Sequence, residues 1–145
     1  MGKVEEFLSK EEEQEIISAI VTAEKNTSGE IRVHLEASAD KDHSERALEV
    51  FHLLEMNATK DANGVLIYVA VNDKKFVIYG DKGINDVVPK DFWDNTKDVI
   101  QSHFKKGNFK QGLIDGILSS GQELKHHFPY QQDDVDELSN EISKG

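Results

Sequence analysis

The chain has no cysteine, which excludes disulfides, thiolate nucleophiles, zinc ribbons and iron–sulfur clusters. It is also short of positive charge: 17 Lys and Arg stand against 28 Asp and Glu, a formal net charge of −11. A phosphate backbone is bound through clustered cations that release counterions, so this balance argues against nucleic acid and equally against an anionic membrane surface. No apolar run approaches the length of a membrane span, and the opening MGKVEEFLSKEEE has no apolar h-region. Gly2 follows Met1, but Glu6 stands where myristoylation needs Ser or Thr. A soluble, cytoplasmic, monomeric protein is expected, with no nucleic-acid partner and no membrane insertion. Prolines number only two, and 37% of the 145 residues are hydrophobic, enough for one domain with its own core.

Periodicity gives the elements. Ser9 and Glu12 form a capping box, and Ile16, Ile17, Ile20 and Val21 recur at helical spacing, so a helix is expected from Lys10 to Glu24. In GEIRVHLEA, Ile31, Val33 and Leu35 alternate with Arg32, His34 and Glu36, the pattern of a strand with one wet face. Ser44 opens a second helix carrying Ala47, Leu48, Val50, Phe51 and Leu54 and ending near Asn57. VLIYVAV is apolar throughout, as a central strand is; Asn72-Asp73 turns the chain, and KKFVIYG returns antiparallel. Gly80 and Gly83 bracket a tight loop where positive φ is expected. Pro89 suits the first turn of a third helix, Gly107 stops it, and Asn108 caps a fourth. Gly112 and Gly116 on that last helix imply a close backbone approach, expected against the sheet. The order predicts an α/β protein: a three-layer α/β/α sandwich with a small mixed sheet flanked by helices on both faces. Residues 1–128 form the domain, and 129–145 an acidic, mobile tail in which Val135, Leu138 and Ile142 allow a short helix.

Polar residues crowd the ends of the hairpin. Asp61 and Asn63 precede its first strand, and Asp81, Asn85 and Asp86 follow its second. Topology adds Glu30 at the start of the first strand to the same edge, with Asp94 in reach, while the Gly83 turn carries Asn85 and Asp86 past it. Glu30, Asp61, Asn63, Asp81 and Asp94 are therefore the candidate metal ligands. Oxygen donors of this kind, with loop carbonyls, suit calcium. The plainer reading is that Asp61, Asn63 and Asp81 cap turns.

SGEIRVHL, DANGVLIYVAV, KKFVIYGDKGI and GNFKQGLIDGI, in this order and spacing, resemble the TPM domain family over roughly Lys10 to Lys125. The family is found in a thylakoid-lumen photosystem II repair protein, a nematode acetylcholine-receptor modulator and many bacterial proteins. The resemblance implies an α/β sandwich; some members are reported to bind calcium, and acid phosphatase activity is ascribed to the plant branch. Many members carry Gly-Tyr-Gly-Leu-Glu-Gly after the third strand, where this chain has Gly80-Asp81-Lys82-Gly83-Ile84-Asn85, so the loop chemistry differs.

The favoured expectation is a binding or accessory module that holds a divalent cation, calcium, at the acidic rim. The alternative is a weak metal-dependent acid phosphatase at the same rim, with Arg32 and Lys82 holding phosphate, although no P-loop or Asp-x-Asp pair is present. A third reading is a protein-interaction domain in which the rim acids only cap turns. His34, His52, His103, His126 and His127 are scattered and read as solvated surface. Trp93 reads as core, with an aromatic wall beside the rim as the functional alternative.

Overall fold

The computed structural model describes residues 7–130 and 140–145. Helix α1 spans Lys10–Glu24, and both bonds of its capping box form: the Glu12 amide donates to Ser9 Oγ at 3.1 Å, and the Ser9 amide to Glu12 Oε1 at 2.9 Å. Such a cap stabilises a helix by about 1 kcal/mol. Its apolar face, Ile16, Ala19, Ile20 and Ala23, is buried. Strand β1 (Glu30–Glu36) follows, then α2 (His43–Leu53) with a single 3-10 turn at Met56–Ala58, β2 (Gly64–Ala70) and β3 (Lys75–Gly80). Three further helices, α3 (Lys82–Asn85), α4 (Asp94–Lys105) and α5 (Phe109–Lys125), precede β4 (Ser143–Lys144).

The sheet order is β3-β2-β1-β4. β1 runs parallel to β2, with Ile31 opposite Val65, and parallel to β4, with His34 opposite Ser143; β3 is antiparallel to β2. Alternation sorts the side chains into two cores. Ile31, Val33, Leu35, Val65, Ile67 and Val69 pack under α1, α4 and α5; Leu66, Tyr68 and Ala70 pack under Ala47, Val50 and Phe51 of α2. β2 is buried at every position, as its unbroken apolar run implies. The expected sandwich and mixed sheet are both present.

Several expectations are corrected. The hairpin loop is Val71–Lys74, with Lys74 at φ 55, rather than a two-residue turn. The reason is that β1 extends its pairing: the Val71 and Asn72 amides donate to the Glu36 and Ala37 carbonyls at 2.8 and 2.7 Å. Gly80 and Gly83 do not have positive φ; among the described glycines only Gly107 does. α4 begins at Asp94, since Pro89–Trp93 form turns first, and Asn108 makes no side-chain cap. Gly116 is small because a Cβ there would lie 2.6 Å from Ile100 of α4, so the close neighbour is a helix rather than the sheet. At the end of the sequence, Ser143–Lys144 pair with β1, and the Gly145 amide donates to the Leu35 carbonyl at 2.8 Å. Val135 and Leu138 lie outside the described residues.

The polar face of β1 is not wet. Glu30, His34 and Glu36 are all at most 5% exposed. β1 is an inner strand, and α2 and β4 supply the partners that make burial of these groups tolerable.

Candidate functional site

Two polar centres lie at opposite ends of β1. The first is the rim where β2 begins and β3 ends. Asn63 is buried and holds the start of β1: its carbonyl accepts the Glu30 amide at 3.3 Å, and its side-chain amide donates to Ser28 Oγ at 3.4 Å. Glu30 is buried as well, at 4% exposure. Asp81 is 8% exposed and caps α3, its Oδ1 accepting the Lys82 amide at 2.7 Å. Its other oxygen, Oδ2, is buried with no hydrogen-bond partner. Asp61 and Asp94 are exposed, Asp94 at the first position of α4. Among the described residues, no three His, Cys, Asp or Glu side chains stand close enough to share a metal ion. The rim thus places one buried, half-satisfied carboxylate on the turn, with the remaining candidates either locked into the fold or in solvent.

What the turn adds is backbone oxygen. A Cβ at Gly83 would fall 2.3 Å from the Asp61 carbonyl oxygen and 2.5 Å from that of Ala62, so only glycine lets the α3 turn sit against these two carbonyls. Ala62 itself is held at φ 50, an uncommon conformation for a residue with a side chain. Nearby, Trp93 is buried, and its ring lies 3.5 Å from where a Gly80 Cβ would stand; its Nε1 is buried without an acceptor. Trp93 is therefore core on one side and adjoins the rim through Gly80. Asn85 closes the turn by donating to the Gly80 carbonyl at 3.0 Å.

The second centre surrounds Glu36. Arg46 of α2 grips it with two bonds, Nε to Oε2 and Nη2 to Oε1, both 2.9 Å, and the Tyr68 hydroxyl donates to Oε2. His34 Nε2 lies 3.1 Å from Glu36 Oε1, and its Nδ1 lies 2.9 Å from Ser143 Oγ. Burial pushes the Glu36 carboxyl up, but the bonds from Arg46, Tyr68 and His34 outweigh it and hold it down at about 2. Burial lowers His34, partly offset by its bond to Glu36. Burial raises the Tyr68 hydroxyl, and its bond to Glu36 adds to that. Sequence reasoning passes over this centre by reading His34 as surface. The signal available was Tyr68: a hydroxyl in a wholly apolar strand needs a buried partner.

The phosphate holders expected from the sequence do not meet at the rim. Lys82 is exposed in the first turn of α3. Arg32 is half-buried on β1 and shares the face of Leu66 and Tyr68, with Nε unpaired. Burial lowers its pKa, and the charge of Glu141 opposes that. His103, also read as free surface, pairs with Asp115 at 2.8 Å.

Among the described residues no helix is long and apolar enough to cross a membrane. A family model of the TPM domain matches residues 3–123. The NMR structure of the BA42 protein from the psychrophilic bacterium Bizionia argentinensis is 64% identical, with a TM-score of 0.94 and 100% of both chains covered. The N-terminal domain of a protein from P. gingivalis has a TM-score of 0.70 at 20% identity, covering 87% of this chain and 83% of its own. The N-terminal domain of the cg2496 protein from Corynebacterium glutamicum has a TM-score of 0.64 at 12% identity, covering 95% and 81%. At such identities these last two speak for the fold alone. No curated protein matches. The match over residues 3–123 joins the expected strand–helix–hairpin order, and the chain belongs to the TPM domain family.

Proposed function

We propose that the rim is a site for a hard divalent cation, calcium, and that the domain works as a binding or accessory module. The observation that carries this reading is Asp81 Oδ2, a carboxylate oxygen buried with no donor. An ionised oxygen left unpaired in the interior costs several kcal/mol, and a bound cation repays that cost. The donors on the turn are all oxygens, as calcium prefers. Asp81 supplies the charge, the Asp61 and Ala62 carbonyls beside Gly83 supply neutral oxygens, and the Asp61 carboxylate is free to swing in from solvent. Glu30 and Asn63, both buried and joined by the bond from the Glu30 amide to the Asn63 carbonyl, fix the strand ends beside the turn, and Asp94 adds negative charge from the first position of α4. Fewer carboxylates than in the tightest calcium loops imply weak affinity.

Amide NMR during a calcium chloride titration at fixed ionic strength tests this. The expected result is saturable shifts at Asp61, Ala62 and Asp81–Gly83, a change in Trp93 fluorescence, and loss of both in Asp81→Asn, which keeps the helix cap. An unchanged spectrum at millimolar calcium, or an Asp81→Asn variant that responds like the parent, refutes the reading.

A further inference from the structure

A surface unrelated to the rim lies at the free edge of the sheet. β3 is the outermost strand of the sheet. The Asp81 amide donates to the Gly64 carbonyl at 3.0 Å. With the observed register, the bonded rungs are then Gly64–Asp81, Leu66–Tyr79, Tyr68–Val77 and Ala70–Lys75. The amides and carbonyls of the intervening residues, Phe76 and Ile78, face away from β2. Gly80 is the next outward residue, and its carbonyl is occupied by the Asn85 side chain. Phe76 and Ile78 have no such cover among the described residues, which leaves two donors and two acceptors in a row.

This edge does not end on a bare surface. It opens into a groove of about 1110 Å³ walled by Leu48 of α2 on one side and by Phe104 of α4, with Phe109, on the other. The groove occupies the place a fifth strand would take between the two helix layers. Its rim is cationic: Lys74 and Lys75 at the start of β3, Lys97 and Lys105 on α4, against Glu45 as the acid lining it. All four lysines are exposed. In a chain of net charge −11 this is a local reversal of sign, and at physiological salt a Debye length of about 8 Å makes the local charge decisive for a docking segment. Edge lysines ordinarily blunt a strand against pairing with its own kind. Lys97 and Lys105 are not on the edge, however, and flank the apolar walls from a helix.

We propose that the β3 edge accepts an extended acidic segment of a partner protein, which adds a fifth strand by pairing with Phe76 and Ile78. Backbone bonds supply the pairing, the aromatic walls take one face of the segment, and its carboxylates meet the lysines. A second copy of this chain would bring its own lysine-lined edge and is repelled. The proposal is independent of calcium at the rim.

The test uses the full chain, isotope-labelled for amide NMR, and a synthetic peptide of about nine residues alternating valine and glutamate. Expected are saturable shifts confined to Lys75–Tyr79 and the facing turns of α2 and α4, and slowed exchange of the Phe76 and Ile78 amides. N-methylation along one edge of the peptide should abolish binding and along the other should not, because one edge alone can pair. Replacing every glutamate by lysine, or making Lys97→Glu with Lys105→Glu, should weaken binding at least about tenfold. No shift at millimolar peptide overturns the proposal, as does equal binding by both methylated forms or equal binding by the lysine peptide. Concentration-dependent shifts at these same amides without peptide would give the edge to a second copy and overturn it too.

Discussion

Glu36 shows how one residue converts a pattern into a constraint. Its carboxyl is held at about 2 against an ordinary 4.5, so its folded pKa is depressed. The stability it contributes is fully present above 4.5 and is lost as pH falls from there toward 2; the shift corresponds to about 3 kcal/mol. Burial also depresses His34, so its contribution has the same sign and begins to fall away below its unfolded value of 6.5. Glu36→Gln leaves Arg46 facing an amide and removes the charge that Tyr68 and His34 address. The variant should lose about 3 kcal/mol at pH 7 and show a flattened pH dependence between 4.5 and 2. Urea denaturation across that range checks it, and a variant with the parental slope would show that Glu36 is not the titrating group. Period-two alternation placed Glu36 on the right face of β1 but could not show that the face is covered. That depends on α2 delivering Arg46 and on β4 delivering Ser143, neither of which is local.

Among the elements, those fixed by local chemistry were legible and those fixed by packing were not. α1 has the bounds its capping box and apolar spacing require, and β2 is central because nothing polar but Tyr68 interrupts it. The short α3 was unreadable because Gly83 answers to the Asp61 and Ala62 carbonyls, a tertiary contact, and α4 starts later than expected because Pro89 opens a turn, its carbonyl accepting the Phe92 amide at 3.1 Å. At the rim, the sequence correctly placed Asp81 at the end of β3, yet the burial of Glu30 and Asn63 follows only from the third dimension. The packing of α5 on α4 is open to test. Gly116→Ala gains about 1 kcal/mol of helix propensity, but the new Cβ would stand 2.6 Å from Ile100, which is fully buried and has nowhere open to go. Overpacking of this kind costs about 1–3 kcal/mol, so net destabilisation is expected. Ile100→Val removes the Cδ1 at that contact and should recover part of the loss. A double-mutant cycle by chemical denaturation measures this; a stabilised Gly116→Ala would mean that the two helices separate without cost.

For the molecule as a whole, charge is the property the sequence announced most plainly and the fold leaves mostly unrelieved. Pairs such as Lys110–Glu15 at 3.1 Å and Lys144–Glu13 at 3.0 Å each join an exposed to a half-buried side chain at the surface, and each contributes at most about 1 kcal/mol. They leave 28 acidic residues against 17 basic ones, an excess that repels itself more in the compact state than in the unfolded chain. Screening should therefore stabilise. Raising sodium chloride from about 20 mM to about 200 mM shortens the Debye length from roughly 20 Å to under 10 Å and should raise Tm by a few degrees, about 1 kcal/mol for a domain of this size. Scanning calorimetry at pH 7 decides it, and a falling Tm would mean that local ion pairs outweigh the global repulsion. The same measurement separates two effects of calcium. A general screening effect is matched by sodium at equal ionic strength and survives Asp81→Asn; a site at the rim gives an excess Tm that sodium does not reproduce and that disappears with the carboxylate.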